Sequence, residues 1–127
     1  MLHRRKGQDE VREMSDFFAA LKAVNLPMDP IFAGGSRSTT QEREQWASAC
    51  NFLAVRPGTI ISYLRNETTL AELVKAGFRV VGGSDFLAFD DWADTKHRTV
   101  ITIEGDELVR GGGGTRCMTM PIRRRER

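Results

Sequence analysis

Cys117 stands three residues after a run of four glycines, in Arg110-Gly-Gly-Gly-Gly-Thr-Arg-Cys-Met-Thr-Met-Pro121. Gly111, Gly112, Gly113 and Gly114 leave a stretch of backbone without Cβ atoms. Such a stretch reaches positive φ and lets another molecule approach closely. A cysteine attacks as its thiolate, and nearby positive charge lowers the thiol pKa; Arg110 and Arg116 flank this one. Peptide N–H groups over residues 111–115 could line a nest that holds developing negative charge. The pattern therefore points to a substrate loop, Gly111 to Gly114 with Arg116, carrying a catalytic Cys117. The competing reading is plain: a glycine-rich loop is more often only a loop, and a single cysteine is more often a small inert hydrophobe.

A nucleophilic cysteine wants a general acid or base, usually histidine. The chain has two histidines. His3 lies at the N-terminus, and His97 lies between two cations in Lys96-His-Arg98. Neither has an orienting carboxylate at fixed spacing, so both read as surface histidines. There is no Cys-x-x-Cys or His-x-x-x-His pair for a metal. The glycine run lacks the Lys-Ser/Thr ending of a phosphate-binding P-loop. These absences argue against a metal site and a phosphate-binding loop.

The elements that must position the thiol alternate in type. Apolar residues Val11, Met14, Phe17, Phe18, Leu21 and Val24 recur at three- and four-residue spacing and predict a helix over 8–24. Residues 31–33 form a short strand candidate running into Gly34-Gly35. A polar helix is expected over 40–49. Residues 52–56 and 59–64 read as strands joined by Pro57-Gly58, a type II turn pair, hence a β-hairpin. A helix over 67–76 follows, with Asn66 or Thr68 as N-cap and Gly77 as stop. Strands are expected at 78–81, 99–103 and 118–122. Between two of them, Phe86, Phe89 and Trp92 recur every third residue in an acidic stretch. That stretch reads as a one-sided surface helix or a self-packed excursion, its aromatics packing on their own protein rather than on a partner. The pattern is α/β with a mixed sheet, since a hairpin interrupts strict strand–helix alternation.

Composition sets the remaining limits. The chain has 127 residues, 40% apolar and 28% charged, with net charge +2. This reads as one globular domain over residues 1–127. No run is apolar and long enough for a transmembrane helix, and the basic N-terminus has no apolar stretch of a secretory signal behind it. Two cysteines are too few for a disulfide framework and read as reduced thiols of a cytoplasmic protein. The basic ends, 1–7 and 123–127, read as mobile and solvated. That reading is preferred to a nucleic-acid contact through the Arg-rich tail.

Six strings carry a family resemblance. In order they are Gly34-Gly-Ser36, Gln41-Glu-Arg-Glu-Gln-Trp46, Asn51-Phe-Leu-Ala54 with Pro57-Gly58, Tyr63-Leu-Arg-Asn66, Glu72-Leu-Val-Lys-Ala-Gly77, and Glu107 through the glycine run to Pro121. They resemble the C-terminal part of an arginine deiminase. The resemblance implies an α/β-propeller of the guanidino-group-modifying superfamily, a ring of pentein-like ββαβ modules around a central site. It implies that Cys117 attacks the guanidinium carbon of L-arginine, that ammonia leaves from a covalent thiouronium intermediate, and that water releases citrulline, with no cofactor. The family's His-x-Asp pair, its Glu-Gly-Gly-Asp glutamate and its Arg-Asp-Pro-type aspartate have no match here. In the family they lie N-terminal to the matched region. Gly112 stands where the family loop often has an arginine, Ser36 where it often has Asp, and residues 84–98 resemble an insertion. The chain is thus expected to be a C-terminal fragment that carries the nucleophile and is inactive or nearly so alone. The alternative is a catalytically inactive arginine-deiminase-like binding or structural module. A propeller piece leaves module faces uncovered, so self-association is expected.

Overall fold

The computed structural model describes residues 1–88 and 96–123. Their elements are β1 (Leu2–Arg4), β2 (Val11–Glu13), α1 (Phe17–Ala23), α2 (Ser38–Trp46), β3 (Leu53–Arg56), β4 (Thr59–Tyr63), α3 (Glu67–Lys75), β5 (Phe78–Gly82), α4 (Gly83–Ala88) and β6 (Arg98–Ile103). Two compact units divide the chain, Met1–Pro30 and Ile31–Arg127.

The first unit corrects the helix expected over 8–24. Gly7, at φ 82°, turns the chain, and the Gln8 N–H closes that turn on the Arg5 carbonyl at 3.1 Å. β1 and β2 then pair antiparallel, with Arg4 opposite Val11. The helix begins only at Phe17, because Asp16 is an extended N-cap whose side chain accepts the Ala19 N–H at 2.9 Å. Asn25, at φ 58°, ends it. The apolar spacing of 11 and 14 thus belongs to strand and turn, not to a helical face.

The second unit is built on a four-stranded mixed sheet in the order β3-β4-β6-β5. β3 and β4 are the expected antiparallel hairpin, with a register irregularity between Ala54 and Arg56. Gly58, at φ 76°, makes its turn. β6 lies between β4 and β5 and is parallel to both, Val100 facing Ile60 on one side and Val80 on the other. A strand covered this way must be apolar or satisfied. Residues 99–102 are buried accordingly, and the Thr99 hydroxyl accepts from Arg79 Nε at 2.9 Å. Leu70 and Leu73 of α3 pack with Val100 as the core, joined by Phe52, Ile60 and Phe78. Gly77, at φ 87°, stops α3 as expected.

α2 is held by chemistry rather than by an apolar face. Its one buried side chain is Glu44, 1% exposed. The carboxylate takes the Thr68 N–H at 2.9 Å, the Thr69 N–H at 2.8 Å and the Thr69 hydroxyl at 2.6 Å. Glu44 therefore caps the N-terminus of α3 from another helix. Asn66 occupies the N-cap position but makes no side-chain cap bond. Burial works against the charged carboxylate. The Thr69 hydroxyl and the two amides outweigh burial and hold its pKa below the ordinary glutamate value. Thr69 Oγ1 also accepts the Gly34 N–H at 2.9 Å.

Two short expected strands do not form. Residues 31–33 run into a turn at Gly34 and Gly35, whose φ values are 74° and 69°. A Cβ on Gly34 would strike the Gln41 backbone, so this glycine lets α2 approach. Residues 115–118 form a turn, and 119–122 follow without regular structure. Of the spaced aromatics, Phe86 is buried on α4, whereas Phe89 and Trp92 fall outside the described residues. No helix among the described residues is long and apolar enough to cross a membrane.

Candidate active site

The loop that carries Cys117 is pinned to the β3–β4 hairpin by one buried residue, Thr115. Its hydroxyl donates to the Ile61 carbonyl at 2.8 Å or the Asn51 carbonyl at 3.0 Å, and accepts the Leu53 N–H at 3.1 Å. The Arg116 N–H reaches the Asn51 carbonyl at 3.4 Å. Tyr63, almost fully buried on β4, sends its hydroxyl to Met118 Sδ at 3.8 Å. The rigid sheet thus supports residues on either side of the cysteine. A turn follows directly, with the Cys117 N–H on the Gly114 carbonyl at 3.0 Å.

The thiol is exposed, and Asn51 Nδ2 donates to its sulfur at 2.8 Å. The oxygen of the same amide is buried without a hydrogen-bond partner among the described residues. Asn51 therefore leaves one polar atom unsatisfied, at a cost of about 1–3 kcal/mol, while its NH2 faces the sulfur. The Cys117 pKa lies below the ordinary thiol value. The causes are a backbone hydrogen bond from Gly114, then the Asn51 amide, with the charge of Arg116 adding to them against a small burial penalty. Each of these favours the thiolate, the form that attacks.

The four glycines are not equivalent. A Cβ on Gly114 would meet Asn51 Cβ at 2.6 Å and the Asn51 carbonyl oxygen at 2.8 Å. Gly113 has φ 89°, and a Cβ there would sit 3.0 Å from Cys117 Cβ. These two positions need glycine, one for Asn51 and one for the thiol. Gly112, at φ 76°, and Gly111 face open space. The expected nest over 111–115 is narrowed, since the Gly112 N–H closes the 3-10 turn Leu108–Gly111 on the Val109 carbonyl at 3.1 Å. Gly112 lies in a neighbouring depression with Arg43, Trp46, Arg65 and Arg110.

An open pocket of about 680 Å³ surrounds the sulfur, lined by Gln45, Ser48, Cys50, Asn51, Arg116 and Thr119 besides Cys117 itself. Neither His97 nor a carboxylate is in this lining. His3 belongs to the first unit, in a depression with Arg5, Glu10 and Arg12. Among the described residues no group of three or more His, Cys, Asp or Glu is placed to hold a metal ion. The structure thus brings Gly113, Gly114 and Arg116 to Cys117. It adds Asn51, which no local spacing singles out, because the hydrogen bond joins residues far apart in the chain.

The family model for arginine deiminase matches residues 4–124. This chain belongs to the arginine deiminase family. The matched region takes in the hairpin with Asn51, the α2–α3 pair and the whole Cys117 loop. The quoted family strings thereby divide by task. Glu44, Gly34 and Thr115 hold the fold, whereas Asn51, Gly113, Gly114 and Arg116 meet the thiol.

Proposed function

We propose that Cys117 is the nucleophile of arginine deiminase chemistry. Sγ bonds to the guanidinium carbon of L-arginine, ammonia departs with a proton, and water then cleaves the C–S bond to give citrulline and the free thiol. The observation that carries this reading is the Asn51 amide at 2.8 Å from an exposed sulfur whose pKa is held down. Asn51 and the Gly114 backbone favour the thiolate and orient the sulfur, and Arg116 adds positive charge beside it. Of the substrate loop Gly111 to Gly114, the open faces of Gly111 and Gly112 supply a backbone that substrate can approach closely. No cofactor enters the scheme. The ββαβ order of β3, β4, α3 and β5 suits one module of an α/β-propeller, and free thiols suit the cytoplasm.

The reaction also needs a proton donor for ammonia and carboxylates to hold a guanidinium. Neither lines the pocket at Cys117 among the described residues. The 127-residue chain therefore presents the nucleophile and does not turn over by itself. That same lining favours a second reading, a catalytically silent module of the family. The two separate by labelling. With the nucleophile intact, Cys117 alkylates faster than Cys50 with an amidine-type electrophile near neutral pH, while citrulline output from arginine stays at the level of Cys117→Ser. A thiol that reacts like an ordinary peptide cysteine would remove Cys117 from the nucleophile role. Citrulline formed by the chain alone and abolished in Cys117→Ser would instead refute the inactivity.

A further inference from the structure

The chain's two cysteines share one pocket. Cys50 and Cys117 are both free and exposed, and both line the open cavity around the Cys117 sulfur. Asn51 joins them: it follows Cys50 directly, its side chain touches Cys117 Sγ at 2.8 Å, and its carbonyl accepts the Arg116 N–H at 3.4 Å. Cys50 is the exposed last residue of the turn over residues 47–50, where Ser48 sits at φ 57°. Ala49 beside it is fully buried and fixes the turn's base. The turn can thus present its thiol without dislodging the sheet.

We propose that Cys117 is a site of reversible oxidation by a hydroperoxide, with Cys50 as the resolving thiol. The Cys117 thiolate attacks a peroxide oxygen, the O–O bond breaks, and Cys117 becomes a sulfenic acid while the leaving oxygen takes a proton. Cys50 sulfur then attacks the sulfenic sulfur, the S–S bond forms and the S–O bond breaks. The departing hydroxide takes the Cys50 proton and leaves as water. Two thiols are oxidised by two electrons, and hydrogen peroxide is reduced to two waters. The pairing protects Cys117 from the further, irreversible step to sulfinic acid. The bond also draws the sulfur off Asn51. Loss of the nucleophile on oxidation rests on the role proposed above for Cys117; formation of the bond does not.

The test treats the dilute 127-residue chain with stoichiometric hydrogen peroxide, then counts free thiols and weighs the protein. Wild type should lose both titratable thiols together and two hydrogen atoms, remain a single chain on a non-reducing gel, and recover both thiols with dithiothreitol. Cys50→Ser should instead gain one oxygen at Cys117, a sulfenic acid that dithiothreitol removes, and only a further equivalent of peroxide should carry it to the irreversible sulfinic acid. Cys117→Ser should lose its remaining thiol roughly tenfold more slowly, since the Asn51 amide and the Gly114 backbone that favour a thiolate act on the Cys117 sulfur. Oxygen retained on Cys117 with Cys50 still titratable would overturn the proposal, as would a disulfide found only between two chains. Fast electrophile labelling of Cys117 without this bond would leave the nucleophile assignment standing and sink the resolving role alone.

Discussion

At the residue scale, the thiol is tuned by an amide and a backbone rather than by a histidine. A lowered pKa raises the thiolate fraction at neutral pH, so alkylation of Cys117 should rise with pH earlier than that of an ordinary peptide cysteine. Asn51→Ala removes one cause of the shift. The Cys117 profile should then move to higher pH, with a slower rate near neutrality; an unmoved profile would show that Asn51 does not act on the sulfur. The glycines give a second test. Gly114→Ala places a methyl against Asn51 and should cost about 1–3 kcal/mol of stability, as overpacking does. Gly111 has open space and no positive φ. Gly111→Ala should therefore stay within about 0.5 kcal/mol of wild type in denaturant titration. Equal effects would mean that the loop is uniformly flexible. Nothing local in the sequence sets Gly113 and Gly114 apart from Gly111, because close approach by Asn51 is a tertiary fact.

At the element scale, α2 and α3 depend on one carboxylate. Glu44 satisfies two orphan amides at the start of α3, where a negative charge also meets the positive end of the helix dipole. Glu44→Ala should cost about 2–3 kcal/mol, combining a lost cap with charged hydrogen bonds. The pH dependence has a fixed sign. Because the folded pKa of Glu44 is depressed, its contribution is complete above the ordinary glutamate value and is lost as pH falls through the folded one. Wild type and Glu44→Gln should differ near neutral pH and converge in acid; a difference independent of pH would refute the charged cap. The Glu-Arg-Glu-Gln-Trp string was legible as a family mark, but its task was not, since α2 has almost no apolar face to announce a buried residue. The hairpin, α3 and β5 were legible because turn glycines and apolar alternation are local signals. The helix expected over 8–24 failed for the matching reason: the spacing counted side chains, while Gly7 and Asp16 decided where the backbone turned and where it began to coil.

At the scale of the whole molecule, the second unit leaves large apolar side chains exposed, among them Phe32, Trp46, Leu87 and Met120. A groove of about 730 Å³ at the ends of β4, β5 and β6 is lined by apolar residues such as Ile61, Leu64, Leu87 and Ile103, with Asp85 and Glu104 also in its lining. Scattered apolar residues are ordinary, but a contiguous groove seeks a cover. The scattering mass of the purified chain should therefore rise with concentration; a constant monomer mass would contradict self-association. Family membership, the position of the thiol and the mixed α/β order were determined by the sequence itself, because strings, turn residues and periodicity act over a few residues. Which glycines must be glycine, that Asn51 holds the sulfur and that Cys50 shares its pocket were decided only by the tertiary structure. Those relations depend on Thr115 fastening the loop to the sheet, a contact between residues that are remote along the chain.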